Sequence, residues 1–197
     1  MVPVHQSDHF LTHRRDLKPD NILLDAMGHA HITDFNVAIH YSERRLHTSV
    51  AGSMAYMAPE VIGRLGYTWS CDWWSLGVVA WELLFHRRPF DGRTSEKMKN
   101  SILKDALRFP STSKEKCSKE GHHFLMGVRI VSIAYLMRDA ARALQLLDRN
   151  PKTRLGCRDK DLGIEDVRTH PWMKSIDWDA LENKEAQPPF VPDVRSP

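Results

Sequence analysis

A chain of 197 residues that is 42% hydrophobic and 27% charged has the length and balance of one soluble domain with a core, which excludes wholesale disorder. Lys and Arg number 28 against 25 Asp and Glu, and the resulting +3 is too slight to mark a nucleic-acid or membrane-surface protein. No apolar run reaches the ~18 residues of a membrane span. The first ten residues lack the regions of a secretory signal, and three scattered cysteines without a CxxC pair suit reduced thiols in a cytoplasmic protein.

In chain order, residues 1–14 show no periodicity and read as loop. Turn-rich Lys18–Asn21 leads into a short strand at Ile22–Leu24, a turn at Asp25–Gly28 and a returning strand at Ala30–Thr33. His29 and His31 alternate along that strand; with no third ligand they read as a solvent-facing hairpin and not a metal pair. Residues 38–60, punctuated by Gly52 and Pro59, read as a long ordered loop of the kind that carries function. Asp72–Phe85, with Trp73, Trp74, Leu76, Val79, Trp81 and Leu83, has no polar face and predicts a helix buried all round. Ser95–Ala106 predicts an amphipathic helix capped by Thr94 or Ser95, with Met98 and Ile102 on one face. Ser111–Gly121 reads as a charged loop, His122–Leu147 as helix, and Gln187–Pro197 as an extended proline-rich stretch. The basic clusters Arg44–Arg45 and His86–Arg88 read as solvated faces or substrate-rim charges. The expected fold is mainly α with few short strands.

The informative string is Arg15-Asp16-Leu17-Lys18-Pro19-Asp20-Asn21, followed by Asp34-Phe35-Asn36 and Ala58-Pro59-Glu60. Phosphoryl transfer from ATP needs a carboxylate to orient the attacking hydroxyl, a cation beside the moving phosphoryl group and oxygen ligands for magnesium. Asp16, Lys18, Asn21 and Asp34 supply those types in that order. With Asp72-Trp73-Trp74-Ser75-Leu76-Gly77, Arg154-Leu155-Gly156 and His170-Pro171-Trp172, the chain resembles the large, C-terminal lobe of eukaryotic protein kinases. The Lys-Pro-Asp-Asn form of the loop looks like the serine/threonine kinases. Arg154–Gly156 and the stretch from Ile176-Asp177-Trp178 to Pro188-Pro189-Phe190 are similar to the AGC group, and Gly28–Asn36 to its YANK branch.

That resemblance implies ATP and Mg2+ as cofactors, a protein substrate with a Ser or Thr acceptor, and no nucleic-acid partner. It assigns the substrate hydroxyl to Asp16, the transferring phosphoryl to Lys18 and magnesium to Asn21 and Asp34. It makes Ser49 the activation-loop phosphosite, with Thr48 its neighbour, and lets Arg15 pair with a phosphate there. Ser53 stands where the family has the Thr that contacts both catalytic Asp and Lys; Glu60 pairs with Arg154; Asp72 contacts amides of the catalytic loop. Asn36, where the family has Gly, is the side chain most tolerant of positive φ.

Two departures stand out. The glycine-rich loop, strand lysine, helix glutamate and hinge of the small lobe are missing, and Arg14 stands where the family has His or Tyr. Residues 1–14 are expected to be a leader outside the family, 15–175 the large lobe and 176–197 the start of an AGC-type tail. Phe124–Gly127 would join Leu146–Pro151 smoothly without residues 128–145, whose ends are codable as splice donor and acceptor; this segment is expected to be an insertion, a retained intron. Within it Val128–Leu136 should bulge out and Asp139–Leu147 form a helix. The chain is expected to be a truncated, inactive piece of a serine/threonine kinase; the alternative is a non-catalytic binding or scaffold module.

Overall fold

The computed structural model describes residues 12–13, 15–40, 46–111, 113–126, 146–157 and 163–193. Its body is predominantly helical. Four short strands, β1 (Thr12–His13), β2 (Ile22–Leu24), β3 (Ala30–Ile32) and β4 (Ile39–His40), form two antiparallel ribbons, β1 with β4 and β2 with β3. The register sets Thr12 opposite His40 and Ile22 opposite Ile32. Strand β1 corrects the reading of residues 1–14 as loop throughout: a two-residue strand is too short for any alternation to announce it.

Asp25 builds the β2–β3 turn. Its Oδ1 accepts the Met27 and His29 amides, each at 2.9 Å. Its Oδ2 lies 2.8 Å from His31 Nε2 and 3.4 Å from His29 Nδ1. The His31 bond, then the His29 amide, hold this carboxyl well below the usual range. Gly28 has φ +90°, and a Cβ there would strike the Phe190 carbonyl, so the C-terminal stretch packs against this turn.

The core gathers around the second helix. Helix α1 (Pro59–Ile62) starts with proline at its first position, and α2 (Ser70–Phe85) follows. Trp74 is wholly buried, with Val78, Val79 and Trp81, each apolar side chain contributing roughly 1.5–3 kcal/mol. Trp74 stacks on Phe90, and Trp81 on Phe109. Burial all round does not hold at the far end: Leu83 is 64% exposed. It lies in the last turn, just before His86 closes α2 in the left-handed region at φ 55°.

Helix α3 (Ser95–Lys104) is capped by Thr94, whose hydroxyl accepts the Lys97 amide, and buries Met98 and Ile102. Its open carbonyls at the other end are met by Arg149, which donates to Ile102 and Asp105. The expected charged loop at Ser111–Gly121 instead holds α4 (Ser113–Lys116) and the start of α5 (Lys119–Met126). Helix α4 is a single turn, and the charges of this stretch mask two inward residues, Ser113 and Cys117. Beyond α5, the Leu146 and Leu147 amides donate to the Phe124 and Leu125 carbonyls, each at 3.2 Å. Leu146 and Leu147 form a turn, so the expected helix does not run through them; the rest of that helix and the expected bulge lie outside the described residues.

Helix α6 (Gly163–Arg168) and α7 (Trp178–Glu182), the latter capped by Asp177, complete the order. Between them His170 Nδ1 accepts the Trp172 amide, and its Nε2 lies 2.9 Å from His123 Nδ1 on α5. Burial lowers both imidazoles, His170 to about 4. No helix among the described residues is long and apolar enough to cross a membrane.

Candidate active site

Leu17, almost fully buried, anchors the segment that presents Asp16 and Lys18. Just before them Arg15 sits in the left-handed region at φ 63°, which costs a side-chain-bearing residue roughly 1–2 kcal/mol. Its amide donates to Asp72 Oδ1 at 3.0 Å, tying the loop to the first turn of α2.

Three groups converge on the Asp16 carboxylate. The Ser53 amide donates to Oδ1 at 2.7 Å. Lys18 Nζ lies 3.0 Å from Oδ2, and Asn21 Nδ2 donates to the same oxygen at 3.3 Å and to the Asp16 carbonyl at 3.0 Å. Lys18 Nζ also donates to Ser53 Oγ at 3.1 Å, so Ser53 contacts both charged residues. Gly52, at φ +103°, makes this approach possible: a Cβ there would overlap the Arg15 carbonyl. Burial works to raise the Asp16 pKa, but the bonds from Lys18 and Ser53 outweigh it and hold the carboxyl low; Asp16 in turn raises Lys18.

Asp34 reaches the same site from β3. The Thr33 amide donates to the Asn21 carbonyl at 2.8 Å, which sets Asp34 beside the Asp16–Lys18–Asn21 group, and its charge helps raise Lys18. The left-handed residue of the triplet is Asp34, at φ 57°, not Asn36. Asp34 Oδ1 accepts the Asn36 amide at 3.1 Å, a local bond by which Asp tolerates that conformation. The donor set suits magnesium: an exposed carboxylate at Asp34, and at Asn21 an amide whose nitrogen is committed to Asp16, leaving its oxygen as donor.

The segment from residue 46 to Glu60 closes the site. Arg15 Nε donates to the Val37 carbonyl at 2.6 Å and its Nη1 to Ser49 Oγ at 2.9 Å; Thr48 beside it is exposed. Glu60 and Arg154 meet deep in the body at 2.6 and 2.9 Å, and Ser70 bonds to both. The Arg154 guanidinium lies over the Trp74 ring. Sequence reasoning missed two tyrosines. Tyr56 donates to Glu82 at 2.6 Å, and burial, then Glu82, push its pKa up. Tyr67 bonds to both Arg15 and Ser49. Neither belongs to a motif or a periodic face, so only long-range pairing reveals them. The thiols stay protonated: burial pushes Cys157 up to about 12 and raises Cys71 and Cys117.

The protein kinase domain model matches residues 4–173. The chain is 36% identical over 180 residues to the serine/threonine-protein kinase AtPK2/AtPK19 of Arabidopsis thaliana, covering 91% of this chain and 33% of that protein. It is 40% identical over 187 residues to human ribosomal protein S6 kinase alpha-2, covering 93% and 22%. For human ribosomal protein S6 kinase alpha-6 the identity is 37%, with coverage of 90% and 20%. The chain thus spans a fifth to a third of the length of these relatives. The matched model, the relatives and the convergence on Asp16 agree, and the chain belongs to the protein kinase domain family.

Proposed function

We propose that this chain, cytoplasmic and intracellular, carries the large-lobe half of a serine/threonine protein kinase site, of the AGC group and most like its YANK branch, working on ATP and a protein substrate with a Ser or Thr acceptor. The observation that carries this reading is the convergence of Lys18 Nζ and the Ser53 amide on the Asp16 carboxylate, beside Asn21. Asp16, held ionised, orients the incoming Ser or Thr hydroxyl and takes its proton. Lys18 donates to an oxygen of the transferring phosphoryl group. Asn21 and Asp34 hold Mg2+ through their side-chain oxygens; when bound, that ion offsets charge on the phosphates. Phosphate on Ser49 pairs with Arg15. Residues 15–175 form the lobe, with 128–145 an insertion within it and 176–197 a tail; the expected leader at 1–14 is set aside, because the kinase domain match reaches back to residue 4.

The 197 residues contain no GxGxxG string, so in this reading they do not transfer phosphate by themselves. Labelled-ATP assays on the chain alone, and on the chain joined to a complete kinase small lobe with 128–145 removed, test it. The joined protein should turn over, and Asp16→Asn should slow it by about 10²–10⁴-fold, with Asp34→Ala abolishing it. A joined protein that is inert yet binds peptides supports the scaffold reading instead; robust transfer by the unmodified chain overturns the reading of it as inactive.

A further inference from the structure

We infer that Tyr67 is the positioning residue that seats Ser49 against the catalytic loop, so that the activation segment is docked before any phosphate is added. The inference rests on the reading of Ser49 and Arg15 above. Tyr67 is 2% exposed, so its hydroxyl is delivered from a fixed place in the core. Its backbone pairs with His47 in both directions: the His47 amide donates to the Tyr67 carbonyl at 3.3 Å, and the Tyr67 amide to the His47 carbonyl at 3.0 Å. Two residues along, its hydroxyl donates to the Ser49 carbonyl at 2.7 Å and accepts from Arg15 Nη1 at 3.2 Å. One buried residue thus grips the segment at residues 47 and 49 and steers the guanidinium that bonds Ser49 Oγ.

The consequence reaches the catalytic carboxylate. Arg15 immediately precedes Asp16, and its backbone is held by Asp72; the same segment then delivers the Ser53 amide to Asp16. In the unmodified protein Ser49 Oγ takes one hydrogen bond from Arg15 and lies 3.5 Å from the Tyr67 hydroxyl, which also holds the Ser49 carbonyl. A phosphate on Ser49 carries about two negative charges and bonds guanidinium far more strongly. The hydroxyl of Tyr67 therefore matters most when Ser49 is unmodified and least when it is phosphorylated. Ser49 is exposed and open to a modifying enzyme, while Tyr67 is not.

Amide hydrogen exchange on the full chain tests this, with Ser49 unmodified or carrying phosphoserine incorporated during synthesis, in the native sequence and in Tyr67→Phe. In unmodified protein, Tyr67→Phe should speed exchange in peptides covering residues 46–53 by about tenfold or more, since the hydroxyl's bonds to the Ser49 carbonyl and to Arg15 are both lost. With phosphoserine the acceleration should fall below about threefold, and Ser49→Ala, which keeps the Tyr67 bond to the carbonyl, should stay below about threefold. Equal acceleration with and without phosphate, or equal acceleration of α2 peptides, would make Tyr67 an ordinary core residue and overturn the inference. So would unchanged exchange in Tyr67→Phe, or a Ser49→Ala protein as open as Tyr67→Phe. None of these readouts depends on phosphoryl transfer, so a failure of the kinase reading is seen separately.

Discussion

Two ion pairs of the same chemistry sit at opposite extremes of burial. Arg154 and Glu60 have almost no exposure, and the arginine spends its donors on Glu60, Ser70 and Asp148. Lys18 and Asp16 lie 3.0 Å apart with side chains 22% and 11% exposed, joined to a serine hydroxyl and an amide. A charge pair sealed from water, with both carboxylate oxygens bonded inside the protein, has nothing to offer a substrate. A pair at a solvent-facing edge keeps its partners exchangeable, at little gain in stability. The difference separates holding the fold from doing chemistry on it.

Arg154→Met breaks that comparison most strongly. It strands the Glu60 carboxylate in the core and should cost about 3–5 kcal/mol, read as a lower urea midpoint; a loss under ~1 kcal/mol would place the pair with surface bridges.

The His123–His170 pair comes next. Burial, then His123, lower His170 to about 4 from 6.5, so below pH 6.5 the unfolded chain binds more protons than the folded one. Stability is therefore full above about 6.5 and falls as pH drops through about 4, by on the order of 3 kcal/mol. Thermal midpoints across that range should show the fall, and His170→Asn, which retains an acceptor near the Trp172 amide, should flatten it. A native profile that is flat between pH 4 and 6.5 would contradict the assignment.

Lys18→Met should change stability least, by less than ~1 kcal/mol. It should nonetheless raise the Asp16 pKa, because the Lys18 bond lowers it; NMR titration of the Asp16 carboxyl reads this directly. A fall in stability matching that of Arg154→Met would erase the distinction between the two pairs.

Legibility followed the kind of signal. Helix α3 showed in its spacing and its Thr94 cap, and α2 in its unbroken apolar run, because local pattern decides those elements. The exposure of Leu83 did not show, since a run apolar all round says nothing about where the core ends. The meeting of Arg15 with Ser49, Ser53 with Asp16 and Lys18, and Glu60 with Arg154 was readable only through family motifs; the intervals between them carry no period. The residues outside those motifs, Tyr56, Tyr67, Arg149 and His123, gave no local cue, because their partners lie between 18 and 52 residues away. By residue type Asn36 is tolerant of positive φ; the left-handed residue is instead Asp34, whose Oδ1 accepts the Asn36 amide.

The bonds from Leu146 and Leu147 back to Phe124 and Leu125 bear on how this chain tolerates changes of length. With residues 128–145 set aside, Leu146 follows Gly127, and both bonds acquire the i→i−4 spacing of one α-helix. The phase of α5 thus carries across the joint, and both leucines are buried against Gly77, where a Cβ would crowd them. Phe124 and Leu146 are bonded neighbours, so a change of length between them costs only loop-closure entropy, about 0.6 kcal/mol per doubling. A chain lacking 128–145 should therefore present the same two leucines to the same core, at a point where the coding sequence could lengthen or shorten without the fold being rewritten.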